Sequence, residues 1–156
     1  MANQTDILEN EITLLVEDLK AKHIELGMKA SGNWINTIEP EVKGLKGIVY
    51  GAPYTEQLVN GRAPGKFPPV EMIRRWVVDK GIAVIQESAA ISSLAFLIAR
   101  KIAREGTNYF KQGGTDLIEA VITPERIQSI IDKVTEFYIS DFTIGVTRQL
   151  QNLKVA

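Results

Sequence analysis

The sequence predicts a helix-rich α+β fold, in which long helices pack against a small antiparallel sheet or β-hairpin. Apolar residues recur at helical spacing near the start, in the middle and toward the end of the chain. Residues 34–50 instead combine β-branched and aromatic residues with proline and glycine, which is typical of short strands. The 156 residues are 45% hydrophobic and 24% charged, enough apolar material for one core. We therefore expect one domain over residues 1–156.

The first predicted helix spans residues 6–29. Thr5 suits the N-cap. The apolar side chains that share one face of this helix are Leu8, Ile12, Leu15 and Leu19. Residues 31–33 then end the helix by turn chemistry. Two short strands are predicted at 34–39 and 45–50, the first on composition more than on alternation. Proline and glycine interrupt this region, so the connection between the strands is expected to be loose.

The middle of the chain contains a loop between helices. Residues 54–59 suit a short helical turn, and residues 61–69, with three prolines and two glycines, suit an irregular loop. Pro69 favours the first turn of a helix that Gly81 ends. Trp76 in this helix, and Trp34 earlier in the chain, are expected in the core, with a place at an interface as the alternative. A second helix is predicted at 88–105, with Gly106 as its C-cap.

The last third of the sequence alternates loop and helix signals. Residues 107–115, which contain two adjacent glycines, are expected to form a mobile loop. Residues 116–122 suit a short strand or helix, and Thr123 and Pro124 suit a helix start. The final helix is expected to kink before Arg148 and to fray beyond Leu153. Residues 115–156 are thus expected to be a mainly helical C-terminal region.

Composition excludes several functional classes. The net charge of −1 gives no overall attraction to nucleic acid or to an anionic membrane. The absence of cysteine excludes disulfides, thiolate nucleophiles and cysteine-based zinc sites, and suits a reducing cytosol. Asp6 and Glu9 stand where a signal peptide would be basic or apolar, so no export signal is expected. The longest apolar stretches, such as residues 94–99, are too short to cross a bilayer, so no membrane span is expected.

The residues that catalysis needs are sparse. His23 is the only histidine and lies within the first predicted helix, where a surface or core role is expected. Glu39 and Glu41 are separated by Pro40 and fit a solvated strand edge better than an acid/base pair. Residues 61–66 superficially resemble a phosphate-binding loop, but their glycines are separated by three residues and Phe67 follows the lysine. We therefore predict no catalytic, cofactor-binding or metal-ligating residue, and no enzymatic activity.

Five stretches of the sequence together carry a resemblance: YTEQLVNGR (54–62), PGKFPP (64–69), IRRW (73–76), KGI (80–82) and AFLIARKIAREGT (95–107). In combination they resemble the tail-completion, or head-tail joining, proteins of tailed bacteriophages, similar to the minor tail protein Z group. The resemblance covers residues 52–107, and the chain departs from the family pattern after Thr107 by adding its helical extension.

The resemblance implies a structural virion protein at the phage neck or upper tail, assembled in the host cytoplasm. Such subunits form closed rings of roughly six or twelve copies through head-to-tail contacts. Their neighbours are expected to be connector, tail terminator or tail tube proteins. The predicted interface between subunits, or between head and tail, comprises Tyr54, Leu58, Gly61, Arg62, Pro64, Gly65, Lys66, Phe67, Pro68 and Pro69.

Basic residues on the two middle helices suggest a further surface. If the helices pack together, a face toward passing DNA would comprise Arg74, Arg75, Arg100, Lys101 and Arg104. Ordinary solvated helix faces account for the same residues. A small DNA-binding or regulatory phage protein is the competing function, although the sequence lacks a compact helix-turn-helix of usual spacing.

Overall fold

The computed structural model of the protein describes residues 4–82 and 88–154. Within these ranges the chain forms seven helices and one two-stranded antiparallel sheet, which confirms the helix-rich α+β fold. In chain order the elements are α1 (Gln4–Glu25), α2 (Asn33–Thr37), β1 (Glu39–Lys43), β2 (Lys46–Tyr50), α3 (Thr55–Asn60), α4 (Val70–Asp79), α5 (Ser88–Glu105), α6 (Asn108–Lys111) and α7 (Pro124–Lys154).

Helix α1 is the centre of the main core. All four apolar residues predicted on its inner face are buried, and Val16 between them is buried as well. The β-hairpin and α7 both pack against α1. The helix ends at Glu25, earlier than the sequence indicates, and Gly27 follows in the left-handed conformation that glycine adopts at little cost.

The predicted strand at 34–39 is wrong, because residues 33–37 form the short helix α2. Gly32, with a positive φ of 84°, turns the chain so that Trp34 enters the core, where it is only 3% exposed. The Trp34 Nε1–H donates a hydrogen bond of 2.9 Å to Thr55 Oγ1. Burial of this large side chain and its N–H outweighs the strand preference of the local sequence.

The second predicted strand is confirmed, and its partner begins at Glu39 rather than at Trp34. Strands β1 and β2 form an antiparallel hairpin in which Pro40 lies opposite Val49. Each strand of a two-stranded sheet has one free edge, so a proline without an N–H is tolerated there. Gly47 lies close to α1, since a Cβ at this position would lie 2.6 Å from Ile12 Cδ1 and would displace the end of that side chain.

Helices α4 and α5 form an antiparallel pair with a buried seam of its own. Arg74 bonds Ser88 at the start of α5, and Phe67, seven residues earlier in the chain, contacts Phe96, which lies eight residues further along α5. The two segments therefore run in opposite directions. The seam consists of the buried residues Val77, Ile91, Ala95 and Ala99. Two alanines in successive turns of α5 allow the two helices to approach closely.

The segment between α5 and α7 differs from the sequence-based expectation. The predicted mobile loop contains the one-turn helix α6, whose N-cap Thr107 accepts a hydrogen bond from the Phe110 N–H. Residues 116–122 form successive turns rather than a strand or helix. Leu117 is 0% exposed in the main core. Its burial, and not the hydrogen bonding of a regular helix or strand, therefore holds this segment in place.

Helix α7 starts as predicted, with Thr123 Oγ1 accepting from the Arg126 N–H at 3.1 Å. It then continues without a break through Gly145 and Arg148, where a kink is predicted from the sequence. Fraying is predicted beyond Leu153; Lys154 still belongs to α7, and residues 155–156 lie outside the described residues. Among the described helices, none is both long and apolar enough to cross a membrane.

Two ion pairs show how α7 lies on α1. Arg126 pairs with Asp18, and Lys133 Nζ lies 2.7 Å from Glu11 Oε1. The α7 partner is seven residues later in the second pair, whereas the α1 partner is seven residues earlier. The two helices therefore run antiparallel. Extending this register brings Ser140 opposite residue 4, the first described residue of α1. Residues 141–154, here called distal α7, then extend about 20 Å past it, at 1.5 Å per residue.

The core position of Leu117 predicts the effect of truncating it. Leu117→Ala should lower the free energy of unfolding by about 2–5 kcal/mol, because it removes fully buried methyl groups and leaves a cavity. Leu97→Ala, on the exposed face of α5, should change it by no more than about 0.5 kcal/mol. Urea unfolding of both variants gives the comparison, and equal losses would contradict this placement of residues 116–122.

Candidate functional site

A half-open groove separates the α4–α5 pair from the main core. Its volume is about 500 Å³, within the range of ligand and peptide sites. The walls come from α4, from α5, from the segment around α6 and from the end of α1. The lining residues used below are Met28, Leu58, Ile73, Trp76, Lys80, Ile98, Lys101, Ile102, Tyr109 and Lys111.

The groove combines apolar walls with positive charge. Lys80, Lys101 and Lys111 contribute ammonium groups, and no carboxylate belongs to the described lining. Lys80 Nζ donates to the Gly27 carbonyl, which ties α4 to the end of α1. Lys111 Nζ lies 2.7 Å from Glu105 outside the groove, and this contact lowers the pKa of Glu105. The site therefore suits an apolar segment that carries negative charge.

Burial raises the pKa of the Tyr109 hydroxyl, which lies in the groove wall. The phenol therefore remains protonated near neutral pH and can donate a hydrogen bond. Tyr109 also packs against the main core, so α6 connects the groove to that core. From the sequence, Tyr109 is predicted only to be an aromatic residue in a loop. The helical turn α6 is what places it in the groove wall.

Trp76 corrects a prediction. An apolar pattern places it in the core, yet it is 39% exposed and lines the groove. Its neighbour Val77 occupies the buried seam, and successive residues of a helix point about 100° apart. Trp76 thus lies on the flank of α4 and offers a large apolar surface at the groove mouth.

The predicted interface loop, residues 61–69, is bound to its own chain along one side. Arg62 exchanges hydrogen bonds of 2.9 Å with Thr107, through its N–H to Oγ1 and its carbonyl from the Thr107 N–H. The Gly65 N–H donates to the Ala103 carbonyl at 2.8 Å. A Cβ on Gly61 would lie 2.1 Å from the Phe110 nitrogen, so only glycine fits this crossing.

The outer side of the loop remains exposed. Pro64, Gly65, Lys66 and Phe67 face solvent, whereas Pro68 is buried. Phe67 contacts Phe96 of α5 with ring centroids 5.6 Å apart, and both rings remain partly exposed. Of the other residues predicted here, Leu58 lines the groove, Pro69 caps α4, and Tyr54 accepts a hydrogen bond of 3.0 Å from Asn33.

The five predicted basic residues divide into two groups. Arg74 bonds Ser88 Oγ at 3.0 Å at the start of α5, and both Arg74 and Arg75 lie near Glu71. Arg100, Lys101 and Arg104 are exposed near the other end of α5, about 18–24 Å from Ser88 along the axis. The structure therefore brings together only the three residues of α5, and Lys101 among them lines the groove.

A second open surface lies on α7. Four large apolar side chains share one helix face, here called the α7 stripe: Ile139, Phe142, Val146 and Leu150. Ile139 is 63% and Phe142 73% exposed. Their spacing of three and four residues is visible in the sequence, although alternating polar residues suggest a kink instead. No described residue of α1 lies opposite distal α7.

The residues considered for catalysis have structural roles. The His23 ring is buried and stacks on Trp34 with centroids 4.5 Å apart. Hydrogen bonds from Lys43 and then Tyr50 lower the pKa of Glu41, which places its carboxylate in a surface network across the hairpin. In residues 4–82 and 88–154, no three acidic or histidine side chains are grouped to hold a metal ion.

Comparison of the chain with protein-family models, with curated proteins and with solved structures gives no match. Two surfaces stand out: a groove that is apolar and lined by lysines, and an exposed apolar stripe on a helix that extends past the described residues of α1.

The environment of His23 predicts a pH effect. Burial, and secondarily the charge of Lys80, lowers its pKa below the usual 6.5. Between the folded and unfolded pKa values the unfolded chain binds more protons, so stability falls as the pH drops below about 6.5. His23→Phe retains an aromatic ring and cannot titrate. Relative to this variant, the wild-type protein should lose unfolding free energy from pH 7.5 to 5.5, with a slope below about 1.4 kcal/mol per pH unit.

The measurement is urea unfolding of both proteins at each pH, with an NMR titration of the His23 ring. A His23 pKa at or above the unperturbed value of about 6.5 would contradict the neutral, buried histidine described above.

Proposed function

We propose that this protein is a non-enzymatic structural subunit that assembles with copies of itself into a ring at the neck or upper tail of a tailed bacteriophage. In that role it completes the tail and joins it to the head. Under this proposal the protein assembles in the host cytoplasm and is then part of the virion. Its partners are its own copies and the adjacent connector, tail terminator or tail tube proteins.

The observation that carries the self-assembly is the α7 stripe. Exposed apolar area costs about 25 cal/mol per Å², and a contiguous patch on a soluble chain marks an interaction surface. The four side chains of the stripe are 40–73% exposed, and no described residue of α1 lies opposite distal α7, so this face is open to a partner. A second protein chain that covers the stripe accounts for its composition.

The phage assignment is supported by the resemblance of residues 52–107. In the fold, its two parts meet: the loop that follows α3 bonds to the end of α5 through Arg62 and Thr107. Under this proposal the exposed outer side of the loop, with Phe67, contacts a neighbouring subunit or a head or tail protein. Arg100 and Arg104, exposed on α5, are the best placed of the predicted residues to approach DNA in the ring lumen.

Assembly can be tested by measuring the solution mass of the wild-type protein at several concentrations, with negative-stain images. We expect a discrete ring. Phe142→Asp should weaken association by about 30-fold or more, as expected when a central aromatic worth about 2 kcal/mol is lost. Ile144→Asp is the matched control, because Ile144 is exposed on the opposite side of the same helix and should leave the ring intact.

A wild-type protein that remains monomeric at all concentrations would contradict the proposal. A dimer that binds a specific DNA sequence would instead support the competing regulatory function. If both α7 variants retain the ring, self-assembly stands but does not use the α7 stripe.

A further inference from the structure

The groove is long and follows the antiparallel α4–α5 pair. Lys80 lines it at the C-terminal end of α4 and Lys101 near the C-terminal end of α5, so the two lysines lie toward opposite ends. The contacts that set the register of the pair place Ile98 about nine residues beyond the level of Ile73. Lys80 follows Ile73 by seven residues in the other direction. At 1.5 Å per residue, the groove is therefore about 24 Å long.

The groove is also narrow. Its volume of about 500 Å³, spread over about 24 Å, gives a mean cross-section of about 20 Å². An α-helix with its side chains is about 10–12 Å across, which corresponds to about 80–110 Å². The groove is thus too narrow to enclose a helix, whereas a single unbranched hydrocarbon chain fits its section.

Apolar side chains line the groove between its two ends. They include Ile73 and Trp76 of α4, Ile98 and Ile102 of α5, and Leu58 of α3. Each methylene group that leaves water for such walls favours binding by up to about fourfold. A ligand with a straight apolar chain therefore gains affinity along the length of the groove.

The polar groups indicate where a charged head group lies. Lys111 is paired with Glu105, and Lys80 donates to a backbone carbonyl at the end of α1. Lys101, in contrast, forms no ion pair with any carboxylate in the described ranges. Tyr109 lies in the wall just after the end of α5, and its protonated hydroxyl is a hydrogen-bond donor. An ammonium and a phenol toward one end of the groove suit a carboxylate.

We propose that the groove binds a carboxylic acid with a straight hydrocarbon chain, of the fatty-acid class. Its carboxylate accepts hydrogen bonds from Lys101 and Tyr109, and its chain runs between the helix pair and the main core toward Lys80. The groove selects an anion over a cation, because its described lining carries lysines and no carboxylate. This site goes beyond the proposed assembly and does not depend on it.

Trp76 provides the readout, because its exposed indole lines the groove whereas Trp34 is buried in the main core. Decanoate, added below the concentration at which it forms micelles, should change the tryptophan fluorescence of the wild-type protein in a saturable way. Trp76→Phe should remove most of this change. Octanoate, decanoate and dodecanoate should bind with increasing affinity, by up to about fourfold per added methylene.

The head-group contact is tested with decanol and decylamine, which carry the same chain. Decanoate should bind about tenfold more tightly than decanol, as expected for hydrogen bonds to a charged group, and decylamine should bind most weakly. Lys101→Met, which retains an apolar side chain, should weaken decanoate binding about tenfold and leave decanol binding unchanged. Arg100→Met is the matched control, because Arg100 is an exposed cation of α5 outside the groove lining.

Circular dichroism and thermal unfolding should give wild-type values for both α5 variants, which separates a lost contact from a lost fold. The absence of a saturable fluorescence change with decanoate would overturn the proposal, as would decylamine binding as tightly as decanoate. Equal effects of Lys101→Met and Arg100→Met would overturn it as well, because the carboxylate then does not lie at Lys101. Solution mass is measured without added ligand, so a monomeric protein that binds decanoate contradicts the ring and retains this site.

Discussion

Burial of one face of α1 is the interaction on which the rest of this structure depends. The hairpin packs closely against this helix at Gly47, and α7 lies along it in an antiparallel register that two ion pairs mark. At the C-terminal end of α1, His23 stacks on Trp34 and Lys80 attaches the α4–α5 pair. Because the described part of α1 is shorter than α7, this packing leaves distal α7 beyond the described residues of α1.

The parts of the fold that the sequence predicts are those in which local pattern and tertiary burial agree. Leu8 and Leu19 recur at helical spacing and are buried, and Thr123 with Pro124 starts α7 as expected. The failures occur where burial overrides local preference. Trp34 belongs to a strand by composition, but its indole is buried and bonded in a helix; Leu117 is ordered by the core without regular structure.

The candidate site was only partly accessible from sequence. The glycine at 61 and the threonine at 107 stand in the two resembling stretches, but their direct contact requires the fold. The groove joins residues from α1 to α6, which no local spacing connects. Trp76 illustrates the limit: its apolar neighbours suggest the core, whereas a rotation of about 100° per residue places it at the groove mouth.

The central claim is that distal α7 serves association with another copy and not folding of its own. Ending the chain after Ser140 tests it directly, through the solution mass and the unfolding temperature of the same sample, both taken at a concentration where the wild type is dissociated and again where it is assembled. We predict a monomer at both concentrations, with an unfolding temperature within a few degrees of the dissociated wild type. A truncated protein that still forms rings, or one that is unfolded, would contradict the account.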